Sequence, residues 1–205
     1  AFTASADRSA GVVTGLSSGT SLLSYILPSG CVVTKVITVN PIPSPLSGST
    51  SVCVGTTTAL TGSGGGTWSS SDPSIFSVDA SGNITGIAAG LANVTYTLSS
   101  TGCFLATPMV INATPAINTV TGGGAYCATG TGVNVGLDFS DLGVNYQLYN
   151  GGSAVGAPVA GTGSSLDFGL NTATGTYTVA AVNGTTGCSN NMLGTATVGI
   201  NSLPS

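Results

Sequence analysis

Five cysteines and six aspartates are the side chains of this chain best able to do chemistry, and there is no histidine and no glutamate beside them. Without His there is no Ser-His-Asp or Cys-His nucleophile and no imidazole ligand for zinc. Asp72 and Asp79 are the best candidates for a working carboxylate pair. A glycosidase needs two carboxylates held across one bond, and a calcium site needs several oxygens, usually more than two of them acidic. The neighbours of these two point elsewhere. Asp72 precedes Pro73 and should begin a turn, and Asp79 opens Asp79-Ala80-Ser81-Gly82, where a short carboxylate bonds its own backbone. Asp138 and Asp141 flank Phe139 and Ser140 and read as solvated loop acids. The sequence therefore predicts no catalytic residue, no cofactor site, no metal site and no enzyme.

Three aromatic side chains could serve a ligand instead. Trp68 is the one Trp; it could stack on a sugar ring, or fill the space between two sheets. Tyr146 and Tyr149 stand three apart, so in a strand they face opposite sides, one toward a core and one toward solvent. Gly64-Gly65-Gly66 and Gly122-Gly123-Gly124 are followed by no Lys and open no helix, so they read as loose connections and not as phosphate loops. Asn83, Asn93, Asn112 and Asn183 each begin an N-x-Ser/Thr triplet, of a kind expected by chance in so Ser- and Thr-rich a chain.

The elements that must position these residues are set by an unusual composition. Of 205 residues, 32 are Gly and about 57 are Ser or Thr, while charged residues make up 4% and the net charge is −4. Arg8 and Lys35 are the whole basic complement, too little to neutralise a phosphate backbone or to dock on an anionic membrane. No stretch of 18 apolar residues exists to span a bilayer, and no basic segment followed by an apolar one opens the chain. The hydrophobic share, 41%, is enough for a packed core and argues against disorder.

The chain repeats itself. Gly11-Val12-Val13-Thr14-Gly15-Leu16, Gly19, Tyr25, Gly30-Cys31 and Val39-Asn40 recur as Gly82-Asn83-Ile84-Thr85-Gly86-Ile87, Gly90, Tyr96, Gly102-Cys103 and Ile111-Asn112. The offset is 71 residues up to the Tyr and 72 from the Cys onward. A looser third copy runs through Gly175-Thr176-Tyr177, Gly187-Cys188 and Ile200-Asn201. Val94, Tyr96 and Leu98 alternate with Thr, as do Leu23, Tyr25 and Leu27 with polar or β-branched neighbours, which is the period of a half-buried strand. Turn signals such as Asp79–Asn83 and Asn150-Gly151-Gly152 punctuate these runs. Short strands at this spacing predict an all-β fold of tandem immunoglobulin-like β-sandwiches. Proline-rich joints at Asn40–Pro45 and Asn112–Pro115 divide the chain into 1–42, 43–113 and 114–205. The first of these matches only the rear half of the second, so the first sandwich is expected to be incomplete, finished by upstream residues of its own chain or by another subunit.

Each full unit has one cysteine near its front and one before its last strand. The repeated positions predict the intradomain pairs Cys53–Cys103 and Cys127–Cys188, with Cys31 left unpaired by truncation. The alternative is an exposed thiol that links chains. Disulfides imply an oxidising, extracytoplasmic setting.

The run Thr67-Trp68-Ser69-Ser70-Ser71-Asp72-Pro73 with Val78-Asp79, then Gly82-Asn83-Ile84-Thr85-Gly86 and Gly90 before Val94-Thr95-Tyr96, closely resembles the bacterial immunoglobulin-like group 2 (Big-2) domain. The resemblance covers about 51–113, and its rear half recurs in 1–42, where Ala1–Ser5 stands in the place of Ile75–Asp79 without the Asp. The third unit, with Val144–Gly152 and Gly175–Val179, looks like a second module type found beside such domains in long secreted adhesins. The resemblance implies an extracellular or cell-surface structural role and no catalytic residue. Composition agrees: a surface hydrated by hydroxyls and amides, with little that titrates near neutrality, suits a strut exposed to changing media. The expected function is a structural segment of a long extracellular repeat protein forming a surface stalk or filament, with an adhesion or biofilm role. The alternatives are a carbohydrate- or receptor-binding adhesin module and the stalk of a secreted enzyme. The expected partners are other copies of the chain or neighbouring repeats, with a glycan as a possible ligand and neither nucleic acid nor membrane.

Overall fold

The computed structural model describes residues 4–6 and 11–203; Arg8 and the first three residues of the Ala1–Ser5 match lie outside the described residues. All regular structure among them is β, with 59% of the described residues in strand. The chain divides into two compact units, Ala1–Ile111 and Asn112–Ser205.

The first unit opens with β1 (Ala4–Ala6), β2 (Val13–Gly15), β3 (Gly19–Ile26) and β4 (Val32–Val39). β1 pairs with β2, and β3 pairs with β4 in eight antiparallel rungs from Gly19↔Val39 to Ile26↔Val32. There follow β5 (Ser47–Gly48), β6 (Ser51–Cys53), β7 (Thr57–Thr61), β8 (Gly66–Ser70), β9 (Phe76–Val78), β10 (Asn83–Gly86), β11 (Gly90–Leu98) and β12 (Phe104–Asn112). They form two four-stranded sheets, β5-β7-β10-β9 and β6-β12-β11-β8. Val52, Leu60, Phe76, Ile84, Val94, Met109 and Ile111 from both sheets meet in one core, which makes this a sandwich. The alternation of Val94, Tyr96 and Leu98 is borne out, all three being buried on β11.

Register corrects one detail of the repeat. Ala4↔Gly15 and Phe76↔Gly86 are equivalent rungs, so Ser5 stands where Ser77 stands and not where Asp79 does. In sequence Asp7 then falls two places after Ser5, as Asp79 falls two after Ser77, and the acid is not missing from the first copy.

The second unit runs β13 (Val120–Gly122), β14 (Gly124–Cys127), β15 (Val133–Leu137), β16 (Val144–Asn150), β17 (Ser153–Ala160), β18 (Leu166–Asn171), β19 (Gly175–Asn183), β20 (Ser189–Asn191) and β21 (Ala196–Asn201). Its sheets are β13-β15-β18 and β14-β21-β19-β16-β17, with β20 beside β19. Val135, Leu137, Tyr146, Leu148, Tyr177 and Val179 form the core between them. The Tyr177 hydroxyl donates to the Ala173 carbonyl 2.7 Å away, four residues upstream, the tie known as a tyrosine corner in such sandwiches.

Gly122-Gly123-Gly124 is not a loose connection. It is the point at which β13 leaves one sheet and β14 joins the other. Gly122 has φ 86°, and a Cβ there would run into the Asn134 carbonyl oxygen. Gly48, the last residue of β5 before the chain crosses to β6 in the other sheet, has φ 127° and the Ala59 carbonyl in the way of a Cβ. Only a residue without a Cβ fits either place.

Candidate functional site

The candidate acids sit at turns and loop ends, where the sandwich exposes its strand connections. Asp72 Oδ1 accepts hydrogen bonds from the Ser74 hydroxyl at 2.6 Å and the Ser74 N–H at 3.0 Å. The hydroxyl first and the amide second hold its carboxyl below the ordinary value. Asp79 closes the turn between β9 and β10. Its Oδ2 accepts from Asn83 Nδ2 at 2.7 Å, and its Oδ1 accepts from the N–H groups of Asn83 and Ser81 at 2.9 and 2.8 Å. The Asn83 side chain and backbone hold this carboxyl low as well. Both acids do the turn chemistry that their neighbours in sequence predicted, Asp79 with both carboxylate oxygens and Asp72 with Oδ1.

Asp138 differs from its expectation as a free loop acid. Its Oδ1 accepts the Thr119 N–H at 2.7 Å, tying the end of β15 to the start of β13, and that backbone bond lowers its pKa. Asp141 donates its N–H to the Tyr146 hydroxyl at 2.8 Å. Among the described residues no three Cys or Asp side chains gather into a cluster suited to a metal.

Trp68 lies on β8, half-buried against the core, with its ring 4.5 Å from that of Tyr96 and tilted by 46°. It is cross-strand partner to Tyr96, and the two rings pack against each other. Tyr146 is fully buried and Tyr149 half-buried, on opposite faces of β16 as the three-residue spacing requires. Ser140 escaped sequence reasoning. It is fully buried, its hydroxyl donating to the Ser164 carbonyl at 2.7 Å and accepting the Thr162 N–H at 3.0 Å. One Ser among so many carries no signal that could single it out.

The cysteines overturn the intradomain pairs. Cys53 and Cys188 are half-cystines, while Cys31, Cys103 and Cys127 are free thiols. Neither Cys53–Cys103 nor Cys127–Cys188 is formed, and topology shows why. Cys53 ends β6 beside Gly86 and Ile111, where its carbonyl and the Ile111 side chain would both meet a Cβ on Gly86. Cys103 sits in the turn at the other end of β12, its carbonyl accepting the Leu98 N–H at 2.9 Å. Eight residues of extended strand separate those two ends, about 25 Å at the rise of a β-strand. A disulfide needs Cα atoms within about 7 Å. The second unit repeats the layout. Cys127 is aligned with Asn201, past the Gly175 end of β19, and Cys188 accepts from the Asn183 N–H at 2.8 Å at its opposite end.

Residues 32–103 match the model of the bacterial Ig-like domain, group 2. The match begins in β4 and stops short of β12. No curated protein matches the chain. Among solved structures the chain is similar to murine CEACAM1b at 11% identity and TM-score 0.38, covering 77% of this chain and 100% of that one. It is similar to domains 1–6 of the surface layer protein SbsC at 15% identity and TM-score 0.34, covering 95% of this chain and 37% of that one. A third is SGBP-B of the Bacteroides ovatus mixed-linkage glucan utilization locus, solved with a mixed-linkage heptasaccharide, at 14% identity, TM-score 0.28, and 97% and 57% coverage. The matched stretch, residues 32–103, runs from β4 to the turn before β12 and takes in the Trp68–Tyr96 rung and the Asp79 turn; over it the chain is similar to the bacterial Ig-like domain of group 2.

Proposed function

We propose that the chain is a structural segment of a long extracellular repeat protein that forms a surface stalk or filament with an adhesion or biofilm role. On this reading it is built of modules at 1–42, 43–113 and 114–205, and its partners are neighbouring repeats or other copies of itself. The observation that carries the proposal is repetition in three dimensions: β3–β4 and β11–β12 are the same eight-rung hairpin in the same register, with Tyr25↔Val33 matching Tyr96↔Leu105. A group 2 Ig-like domain fits a surface or extracellular module, and no helix among the described residues is long and apolar enough to cross a membrane. The acids that a catalytic reading would need are engaged in their own turns. Electron microscopy of the native material tests the proposal. Beaded threads with a bead for each sandwich are expected; dispersed single particles whose aromatic fluorescence is quenched by added glycans would replace it with the binding-module reading.

A further inference from the structure

We propose that β1–β4 form a strand-acceptor site, which takes up front strands like β5–β8 offered by another molecule. The inference deepens the structural role above and rests on it, naming the partner of the first module. The second copy of the pattern supplies the template. β9–β12 are the counterparts of β1–β4, and they carry β7 beside β10, β8 beside β11 and β6 beside β12. Val52 of β6 and Leu60 of β7 enter the core between the sheets. Tyr96 shows how close the fit is. Its ring packs 4.5 Å from that of Trp68, and a Cβ on Gly62 or Gly66 would come within 2.8 or 2.7 Å of it.

β1–β4 hold the receiving half in the same arrangement. Gly15 of β2 faces the Val39 side chain as Gly86 of β10 faces that of Ile111. The Leu27 N–H bonds the Cys31 carbonyl at 2.8 Å as the Leu98 N–H bonds that of Cys103 at 2.9 Å. Among the described residues, however, β3 has only β4 at its side and β2 only β1. A cleft of about 140 Å³ opens between the two pairs, lined by Ala4, Ala6, Val13, Leu23 and Ile37. Their counterparts Phe76, Val78, Ile84, Val94 and Met109 all pack in the core that also holds Val52 and Leu60. The exposed edge of β3 is a template for strand addition. Ser71 donates its N–H to the Asn93 carbonyl at 2.9 Å, so alternate residues of β11 turn their backbone to β8. By the same alternation Leu22, Ser24 and Ile26 turn theirs to the edge of β3. An antiparallel strand in the register of β8 sets a glycine opposite Leu27 and a large ring opposite Tyr25, as Gly66-Thr67-Trp68 does for Leu98 and Tyr96. The chain's own front strands are engaged on β9–β12, and those of a second copy are engaged likewise. The occupant is therefore assigned to another molecule, recognised by a Gly-x-aromatic strand and by apolar side chains that fill the cleft.

The test adds a synthetic peptide of residues 46–71, carrying Cys53→Ser so that it does not oxidise, to the 205-residue protein and follows hydrogen exchange at single amides. Saturable binding of a single peptide per chain is expected, with exchange at Leu22, Ser24 and Ile26 slowed about tenfold or more. The peptide with Trp68→Ala and the protein variant Tyr25→Ala should each bind several-fold to about tenfold more weakly, the worth of an aromatic pair, and Tyr25→Phe should restore binding. Tyr25 is exposed, so the fold does not depend on its ring. Absence of protection on β3, protection gained on β11 and β12 instead, or equal binding by the Trp68→Ala peptide would overturn the proposal. Amides of β3 already protected in the dilute protein alone would mean that another segment of this chain covers them, and would overturn it too. Protection that grows with protein concentration without peptide would assign the face to a second copy, with the same result. Threads in the microscope without peptide binding would leave the structural role standing and remove only this proposal.

Discussion

The hairpins β3–β4 and β11–β12 share a sequence pattern, eight rungs and a register, yet Tyr25 is 64% exposed and its counterpart Tyr96 is 3% exposed. Leu27 and Leu98 differ in the same way, at 44% and 8%. The difference lies in what surrounds them. β11 is flanked by β8, which brings Trp68 against Tyr96, and a second four-stranded sheet closes over it. Among the described residues, β3 has only β4 at its side, and β1 and β2 form a separate two-stranded sheet. Leu22, Tyr25, Ile26, Val32, Val33 and Val36 are left more than half exposed. Local sequence is thus sufficient to set a hairpin and its register, because alternation and turn chemistry act over a few residues. Burial is not local: it needs strands that bring a second sheet.

This contrast is open to direct test. The largest effect is expected from Tyr96→Ala beside Tyr25→Ala. Removing the buried ring should cost about 3–5 kcal/mol, as for other large-to-small core changes, while the exposed ring should cost less than about 1 kcal/mol. Denaturant titration of the two variants measures both, and equal losses would mean that a further element covers Tyr25 in solution.

Smaller differences should separate the equivalent glycines Gly15 and Gly86. A Cβ on Gly86 would meet the Cys53 carbonyl oxygen at 2.7 Å as well as Ile111, whereas on Gly15 it meets only the Val39 side chain, at 2.9 Å. A side chain can turn aside and a strand carbonyl cannot. Gly86→Ala should therefore lower stability by about 1–3 kcal/mol and Gly15→Ala by a smaller amount; melting temperatures of the two variants check the order.

Acid should act on the Asp79 turn that leads into β10. Its folded pKa is lowered, chiefly by the Asn83 side chain, so its contribution is present above the ordinary Asp value and is lost as pH falls through the lower folded value. Stability should be flat near neutrality and fall below about pH 4, with Asp72 and Asp138 adding to the same drop. Thermal melts of the parent and Asp79→Asn between pH 7 and pH 2 test this; the variant should start lower and lose less.

The smallest change in stability is expected from replacing the exposed apolar side chains Leu22, Ile26 and Val33 by Ser, each within about 0.5 kcal/mol. Those variants should nonetheless reduce binding of a hydrophobic dye and self-association, since they dilute an apolar patch. An unchanged dye signal would place the patch outside the accessible surface.

Sequence alone determined the parts of this protein that depend on neighbours. The repeat, the alternation on β11, the Asp72 and Asp79 turns, the opposite facing of Tyr146 and Tyr149 and the group 2 resemblance follow from spacings of a few residues, which fix backbone direction and hydrogen-bond partners. Only the tertiary structure decided which ends of the sandwich the cysteines occupy, that Gly122–Gly124 carries a strand between sheets, that Asp138 fastens Thr119, and that Ser140 is buried. Repeated cysteine positions suggest a pair within each module because sequence separation says nothing of distance. The strand order does, and it sets the front and rear cysteines of each sandwich at opposite ends of a strand far longer than a disulfide can reach.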